Sequence, residues 1–193
     1  MGSAGQWLIR TVVRPEQWFG GGPGGSAGRW FGLNRSTDAA EARRRREDVL
    51  VAKTLSAKIM VASDPATIMN VIADLERYPE WASGVKHIDV LESYDDGRPK
   101  LARFFVTGGG VTDESLFDYT WEGDHRCLWY LTKGTTQRQH DGIYTLQPQE
   151  EGTEVAYDLV VRLKVPLPEP IRRIGQQKIM QAALRDLKSR VES

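Results

Sequence analysis

The strongest strand signal in the sequence lies near its C-terminus and reads Val155-Ala156-Tyr157-Asp158-Leu159-Val160-Val161-Arg162-Leu163-Lys164-Val165. Every odd-numbered residue of this run is apolar, whereas Asp158, Arg162 and Lys164 occupy even-numbered positions. Because successive side chains of a strand point to opposite faces of the sheet, this alternation predicts a strand with one buried face.

The segment after this strand favours a long helix. Three prolines between residues 166 and 170 stop the strand, and a helix is predicted from about Glu169 to Val191. Its second half carries an apolar stripe that begins at Met180, whereas Ile174 in the first half lies off that stripe. We therefore expect one surface of the helix to pack on a sheet and another to face a cavity.

The same alternation marks the start of the folded region, where Leu55, Ala57, Ile59 and Val61 share one face of a predicted strand. Five more strands, separated by turn signals, are predicted at Val85–Tyr94, Leu101–Thr107, Ser115–Trp121, Cys127–Leu131 and Gln137–Leu146. Together these elements predict an α+β domain in which a curved, seven-stranded antiparallel sheet wraps around the C-terminal helix.

A helical segment is predicted between the first two strands. Asp64 can cap it, and Pro65 suits its first turn. We expect Tyr78-Pro79 to end it, because a residue before proline avoids the helical conformation.

Composition narrows the range of partners and locations. The 193 residues include 26 Lys and Arg against 26 Asp and Glu, so no global charge steers the chain onto nucleic acid. The single cysteine, Cys127, suits a reducing compartment. No apolar run reaches the ~20 residues of a membrane span, and Arg10 interrupts the short apolar run at the N-terminus. These features predict a cytoplasmic protein.

Residues 1–50 differ from the rest and are predicted to be a largely disordered extension to a domain that spans 51–193. They are rich in Gly and Arg, and the tripeptide at Trp18 recurs at Trp30 as Trp-Phe-Gly. A second hypothesis is that these aromatic and basic residues dock on a partner or make weak contact with a membrane. A third is that they lie outside the natural protein, since Val49 or Val51 could correspond to a GTG start codon.

One segment carries a likeness to a known group: Ile72-Ala73-Asp74-Leu75-Glu76-Arg77-Tyr78-Pro79-Glu80-Trp81. The turn Tyr94–Pro99 and the proline-rich run Val165–Pro170 add to it. Residues 51–191 resemble the START-like (SRPBCC) superfamily, in particular its polyketide cyclase/dehydrase and coenzyme Q-binding branch and the small actinobacterial members. The resemblance implies a helix-grip fold and a deep apolar cavity under the C-terminal helix, with no metal and no bound cofactor.

The expected cavity is lined by large side chains of the strands and of the final helix. Phe117, Tyr119 and Trp121 share a face of one strand, and Cys127, Trp129 and Leu131 share a face of the next. The predicted ligand-binding residues are Trp81, Phe105, Phe117, Tyr119, Trp121, Trp129, Tyr144, Ile174 and Met180.

Catalytic residues are harder to identify. Arg103 is a weak candidate because it shares its side with Phe105, and His140 lies in a strand where it can also point inward. Cys127 near His125 fits a small buried residue better than a nucleophile. The sequence therefore favours binding or transport of a hydrophobic small molecule, such as a lipid, an isoprenoid quinone or a polyketide-like compound. A cyclase or dehydrase is the alternative, and a docking module that uses residues 1–50 is a third.

Overall fold

A computed structural model describes residues 55–108, 111–165 and 168–193 of the chain. Residues 1–50, predicted to form an extension, lie outside this part. The strands are β1 (Leu55–Val61), β2 (Val85–Ser93), β3 (Pro99–Gly108), β4 (Val111–Glu122), β5 (Arg126–Gly134), β6 (Gln137–Gln149) and β7 (Gly152–Leu163). The helices are α1 (Pro65–Ala73), a 3-10 turn (Leu75–Arg77), α2 (Tyr78–Trp81) and α3 (Glu169–Val191).

The strands form one antiparallel sheet of seven strands in the order β1-β7-β6-β5-β4-β3-β2. Neighbours along the chain pair as hairpins from β2 to β7, and β1 closes the order by pairing with β7. The predicted α+β helix-grip architecture is confirmed, with all three helices packed on one face of the sheet. We call this the inner face and the opposite one the outer face.

The alternation along β7 places its apolar residues in the core. Val155, Tyr157 and Leu159 are buried on the inner face, as the alternation predicts. The strand ends at Leu163, two residues earlier than expected, and Val165 is exposed. Apolar residues from β7 and from the helices therefore meet in one central cluster.

The start of α1 agrees with the sequence, but its end does not. The Asp64 carboxylate accepts a hydrogen bond from the Thr67 backbone N–H at 2.9 Å and caps the helix. The helix ends at Ala73, well before the proline. The prediction that Tyr78-Pro79 stops it is wrong, because Tyr78 is itself helical (φ −55°, ψ −35°) and Pro79 occupies the first turn of α2.

The second half of α3 fills the inner face. Met180, Leu184 and Leu187 are buried against the strands and against α1. The C-terminal end of α3 is also tied to β1 by polar contacts, since Lys188 Nζ donates to the Met60 carbonyl oxygen at 2.6 Å. Glu192, just beyond the helix, accepts from the Ala62 N–H at 2.8 Å. The helix is thus anchored at its C-terminal end.

Candidate functional site

The inner face of β4 and β5 carries a wall of aromatic side chains. Phe117 and Tyr119 on β4 and Trp129 on β5 are all buried there, and Trp121 is half-buried beside them. Alternation along these two strands places the side chains on the inner face, and the antiparallel register sets Tyr119 directly opposite Trp129. The two predicted triplets therefore share one wall.

Ring contacts join this wall into a continuous surface. Trp129 lies with its ring centroid 5.2 Å from that of Tyr144 and 5.5 Å from that of Tyr157, and these two tyrosines are 4.6 Å apart. On the other side, Phe104 lies 5.2 Å from Phe117 and 6.5 Å from Tyr119. Such aromatic pairs stabilise each other beyond their buried area and hold the wall in a defined shape.

A glycine makes room for the central ring of the wall. Gly142 on β6 pairs with Trp129, and a Cβ atom at Gly142 would lie 2.2 Å from Trp129 Cζ2. The indole therefore lies across the bare backbone of β6, where any other residue would displace it.

Tyr78 and Trp81 connect the wall to the helices that precede β2. Their rings are 4.5 Å apart, and Tyr78 meets Phe104 edge to face at 6.3 Å. The Tyr78 hydroxyl donates to the Ile72 carbonyl oxygen at 2.8 Å, near the end of α1. Trp81, a predicted cavity residue, is half-buried against the core.

Polar atoms lie among these rings. Burial raises the pKa of the Tyr119, Tyr144 and Tyr157 hydroxyls above the ordinary tyrosine value, so they stay protonated and can donate hydrogen bonds. Burial likewise raises the pKa of the Cys127 thiol, which keeps it protonated and unsuited to nucleophilic attack. The inner face thus combines an apolar surface with neutral hydrogen-bond donors.

One end of the inner face is polar. The His140 Nδ1–H donates to Gln137 Oε1 at 2.8 Å, since an amide oxygen only accepts. Gln137 Nε2 in turn donates to the carboxylate of Asp113 at 3.0 Å. Asp113 is buried and also accepts from the Thr136 N–H at 2.9 Å and from Ser115 Oγ at 3.2 Å. This network fixes the tautomer of the imidazole and leaves its Nε2 as an acceptor.

His140 is held neutral at physiological pH. Burial lowers its pKa to about 4, and the nearby Asp113 carboxylate offsets only part of that effect. Its ring meets Phe117 edge to face at 5.2 Å, so the polar network adjoins the aromatic wall. A neutral imidazole beside an apolar surface can accept a proton or a hydrogen bond from a bound molecule.

The first half of α3 lies over this polar end. Gln176 is buried, and its Nε2 donates to the Val161 carbonyl oxygen at 3.4 Å, next to His140 in the sheet register. Ile174, in contrast, is 54% exposed. The prediction that Ile174 lines the cavity is wrong, whereas Met180 lies on the inner face as expected, 1% exposed.

The prediction that Phe105 lines the cavity is wrong, and the weak catalytic candidate Arg103 lies on the same outer face. Phe104, not Phe105, points inward, and Phe105 stacks on the exposed His87 with ring centroids 5.9 Å apart. Arg103 shares the outer face with Phe105, and its Nε lies 3.5 Å from the Glu114 carboxylate. Arg103 is therefore a surface ion-pair partner, and nothing in its placement supports a catalytic role.

Two grooves open on the surface beside α1. The larger, of about 540 Å³, lies between α1, the 3-10 turn and the β2–β3 turn, where Asp74, Glu76 and Asp96 make it acidic. The smaller, of about 290 Å³, includes Trp81 and Arg190. Within residues 55–108, 111–165 and 168–193, no three His, Cys, Asp or Glu side chains are grouped so as to hold a metal ion.

Several residues of the site carry little sequence signal. Asp113 and Ser115 lie on the same face of β4 as Phe117 and Tyr119. Polar residues in line with an apolar face are the one local signal of this polar site. Gln137 lies 24 residues from Asp113, and no local pattern predicts that they meet.

Comparisons with known proteins agree with this fold. The profile of the family described as polyketide cyclase/dehydrase and lipid transport matches residues 52–192. A START superfamily protein from Mycobacterium smegmatis is 25% identical, with a TM-score of 0.68 over 72% of this chain and 97% of its own. The Zhui aromatase/cyclase from Streptomyces sp. R1128 shares the fold at 12% identity, with a TM-score of 0.60 over 72% of this chain and 93% of its own.

No match was found among curated proteins. No helix in the described part of the chain is long and apolar enough to cross a membrane. On the profile match and the shared fold, the chain belongs to the polyketide cyclase/dehydrase and lipid transport family of the START-like superfamily.

Proposed function

We propose that the protein binds a hydrophobic small molecule between the inner face of the sheet and α3, as a carrier or binding protein in the cytoplasm. The observation that carries this proposal is the aromatic wall from Phe104 to Tyr157, which is apolar over most of its area and holds neutral hydroxyl groups. The described residues on this face offer surface for binding and few groups for a reaction.

The chemistry of the wall indicates the class of ligand. An apolar body of fused rings or an acyl or isoprenoid chain would contact Trp129 and Phe117, and a carbonyl or hydroxyl group would reach the tyrosine hydroxyls or His140. At about 25 cal/mol per Å², burying roughly 300 Å² of apolar ligand surface contributes about 7 kcal/mol before entropic costs. A lipid, an isoprenoid quinone or a polyketide-like compound meets this description.

Displacement of an apolar fluorescent probe by such ligands tests the proposal. Trp129→Ala would remove the centre of the wall and is expected to weaken probe binding at least about tenfold, the effect of losing about 1.4 kcal/mol. Phe105→Ala removes a ring of similar type from the outer face and is the matched control, with binding unchanged. Equal affinity in the two variants would place the ligand elsewhere.

A cyclase is the second candidate, and one arrangement favours it. His140 adjoins the aromatic wall, and its hydrogen bond to Gln137 fixes Nδ1–H, so its unprotonated Nε2 is positioned to accept a proton or a hydrogen bond from a bound poly-ketone. If a poly-ketone substrate is converted, His140→Gln should abolish conversion while probe binding persists. Conversion by the wild type that survives His140→Gln would remove His140 from the mechanism.

A further inference from the structure

The outer face of the sheet carries an apolar patch that the helices of the described chain do not explain. Leu128, Tyr130 and Ile143 form a separate cluster on β5 and β6, at 1%, 4% and 3% exposure, and Val160 on β7 is 6% exposed beside it. We call these four residues the outer patch. The helices of the described chain bury their apolar residues in the inner cluster, on the opposite side of the sheet. We propose that the N-terminal arm, residues 1–54, docks on the outer patch of its own chain through its Trp-Phe-Gly segments.

The sheet register places the start of the domain close to this patch. Leu55 pairs with Leu159, Leu159 with Gly142, and Gly142 with Trp129, so these residues form one row across four strands. Three strand spacings of about 4.8 Å put Leu55 roughly 14 Å from Trp129, which lies between Leu128 and Tyr130. About five extended residues span that distance. Gly32 lies 23 residues before Leu55, so the chain between them is long enough for either Trp-Phe-Gly segment to reach the patch.

The inner face of the sheet beside β1 is already covered by α3. Leu55, Ala57 and Ile59 pack against the core cluster, to which α3 contributes Leu184 and Leu187. Because β1 is at the edge of the sheet, a chain that precedes it can pass over either face. The described helices pack on the inner face and do not cover the outer face.

Charge favours the same arrangement. Residues 1–54 contain nine Arg and Lys against five Asp and Glu, whereas residues 55–193 contain 17 against 21. The arm therefore carries +4 and the domain −4. Asp118 pairs with Tyr130 in the register and Asp158 pairs with Ile143, so carboxylates flank the patch on the outer face. Opposite charges at the rim orient an apolar contact.

The arm also has the side chains to cover an apolar surface. Trp18-Phe19-Gly20 and Trp30-Phe31-Gly32 each place two large rings before a glycine. Trp and Phe are enriched where a small contact must bury much area. The outer patch extends over three neighbouring strands, β5, β6 and β7. Two segments with two rings each can cover an area of that width.

Photo-crosslinking of the full chain tests this proposal. Trp30 is replaced by benzoylphenylalanine, and isotopically light and heavy copies are mixed before irradiation. The expected crosslinks join position 30 to peptides of β5 and β6 that contain Tyr130 or Ile143, within light copies or within heavy copies. Ile143→Lys should abolish these crosslinks, whereas Met60→Lys, an exposed change at the far end of the outer face of β1, should leave them unchanged.

A second variant keeps the test decisive if Ile143→Lys fails to fold. Changing Arg43, Arg44, Arg45 and Arg46 to glutamate alters the arm alone and should lower the crosslink yield by reversing the charge attraction. Crosslinks between light and heavy copies would overturn the proposal and make a second copy the occupant of the patch. Crosslinks of equal yield in all variants, or none to the sheet, would also overturn it.

Discussion

Single positions in the sheet decide which rings can meet, and Gly142 is the clearest case. A Cβ atom there would lie 2.2 Å from Trp129 Cζ2, so Gly142→Ala forces the indole out of the wall. Overpacking of this kind costs roughly 1–3 kcal/mol of unfolding free energy, measured by urea denaturation. Adding Trp129→Leu should recover part of the loss. Strictly additive effects of the two changes would contradict the contact.

His140 should make stability depend on pH. Its pKa falls to about 4 in the folded chain from the ordinary value of 6.5, so the unfolded chain binds the proton more readily. Stability is full above pH 6.5 and declines as the pH falls from 6.5 towards 4, by at most about 3 kcal/mol. Urea unfolding between pH 4 and pH 8 should show this slope, and His140→Gln should flatten it. An equal slope in both proteins would exclude His140 as its source.

Alternation along strands predicts which residues share a face, but not always which face is inner. For β4 and β7 the opposite side carries charged residues, among them Asp118, Asp158 and Arg162, and Phe117 and Tyr119 are placed as expected. For β5 the opposite side carries Leu128 and Tyr130, so the composition of that strand alone does not settle the face on which Trp129 lies. For β3 both Phe104 and Phe105 are large and apolar, so the sequence offers no reason to choose between them. Only the register with β4, which pairs Ala102 with Phe117, resolves it.

At the scale of elements, α3 divides into two functional halves. Leu184 in the second half is 3% exposed against the sheet, whereas Ile174 in the first half is 54% exposed. Leu184→Ala should cost about 2–5 kcal/mol of unfolding free energy, and Ile174→Ala no more than about 0.5 kcal/mol. Thermal and urea unfolding of the pair measures the difference. Similar costs would show that the first half is packed as firmly as the second.

The elements themselves were largely predictable, because each is marked by local chemistry. The capping carboxylate of Asp64 and the turn glycine Gly97, with φ of 85°, define their boundaries within a few residues. Pro79 misleads because proline suits the first turn of a helix as well as the position after one, and which applies depends on where the preceding helix ends. Here Asp74 ends α1 in a non-helical conformation (φ −80°, ψ 67°).

At the scale of the molecule, the two faces of the sheet carry different sets of side chains. The inner face holds the aromatic wall and the network of His140, Gln137 and Asp113, and the outer face holds the outer patch. The sequence predicts the wall, since it follows from strand alternation. The network joins residues distant in the chain, so only the folded arrangement reveals it.

Native mass spectrometry of the purified full chain tests the central claim, that the inner face binds a hydrophobic molecule. Protein exposed to a mixture of fatty acyl lipids, isoprenoid quinones and aromatic polyketides should gain the mass of one ligand, which organic solvent then releases chemically unchanged. Phe105→Ala should retain this adduct and Trp129→Ala should lose it. Failure of the wild-type protein to bind any apolar molecule would contradict the account.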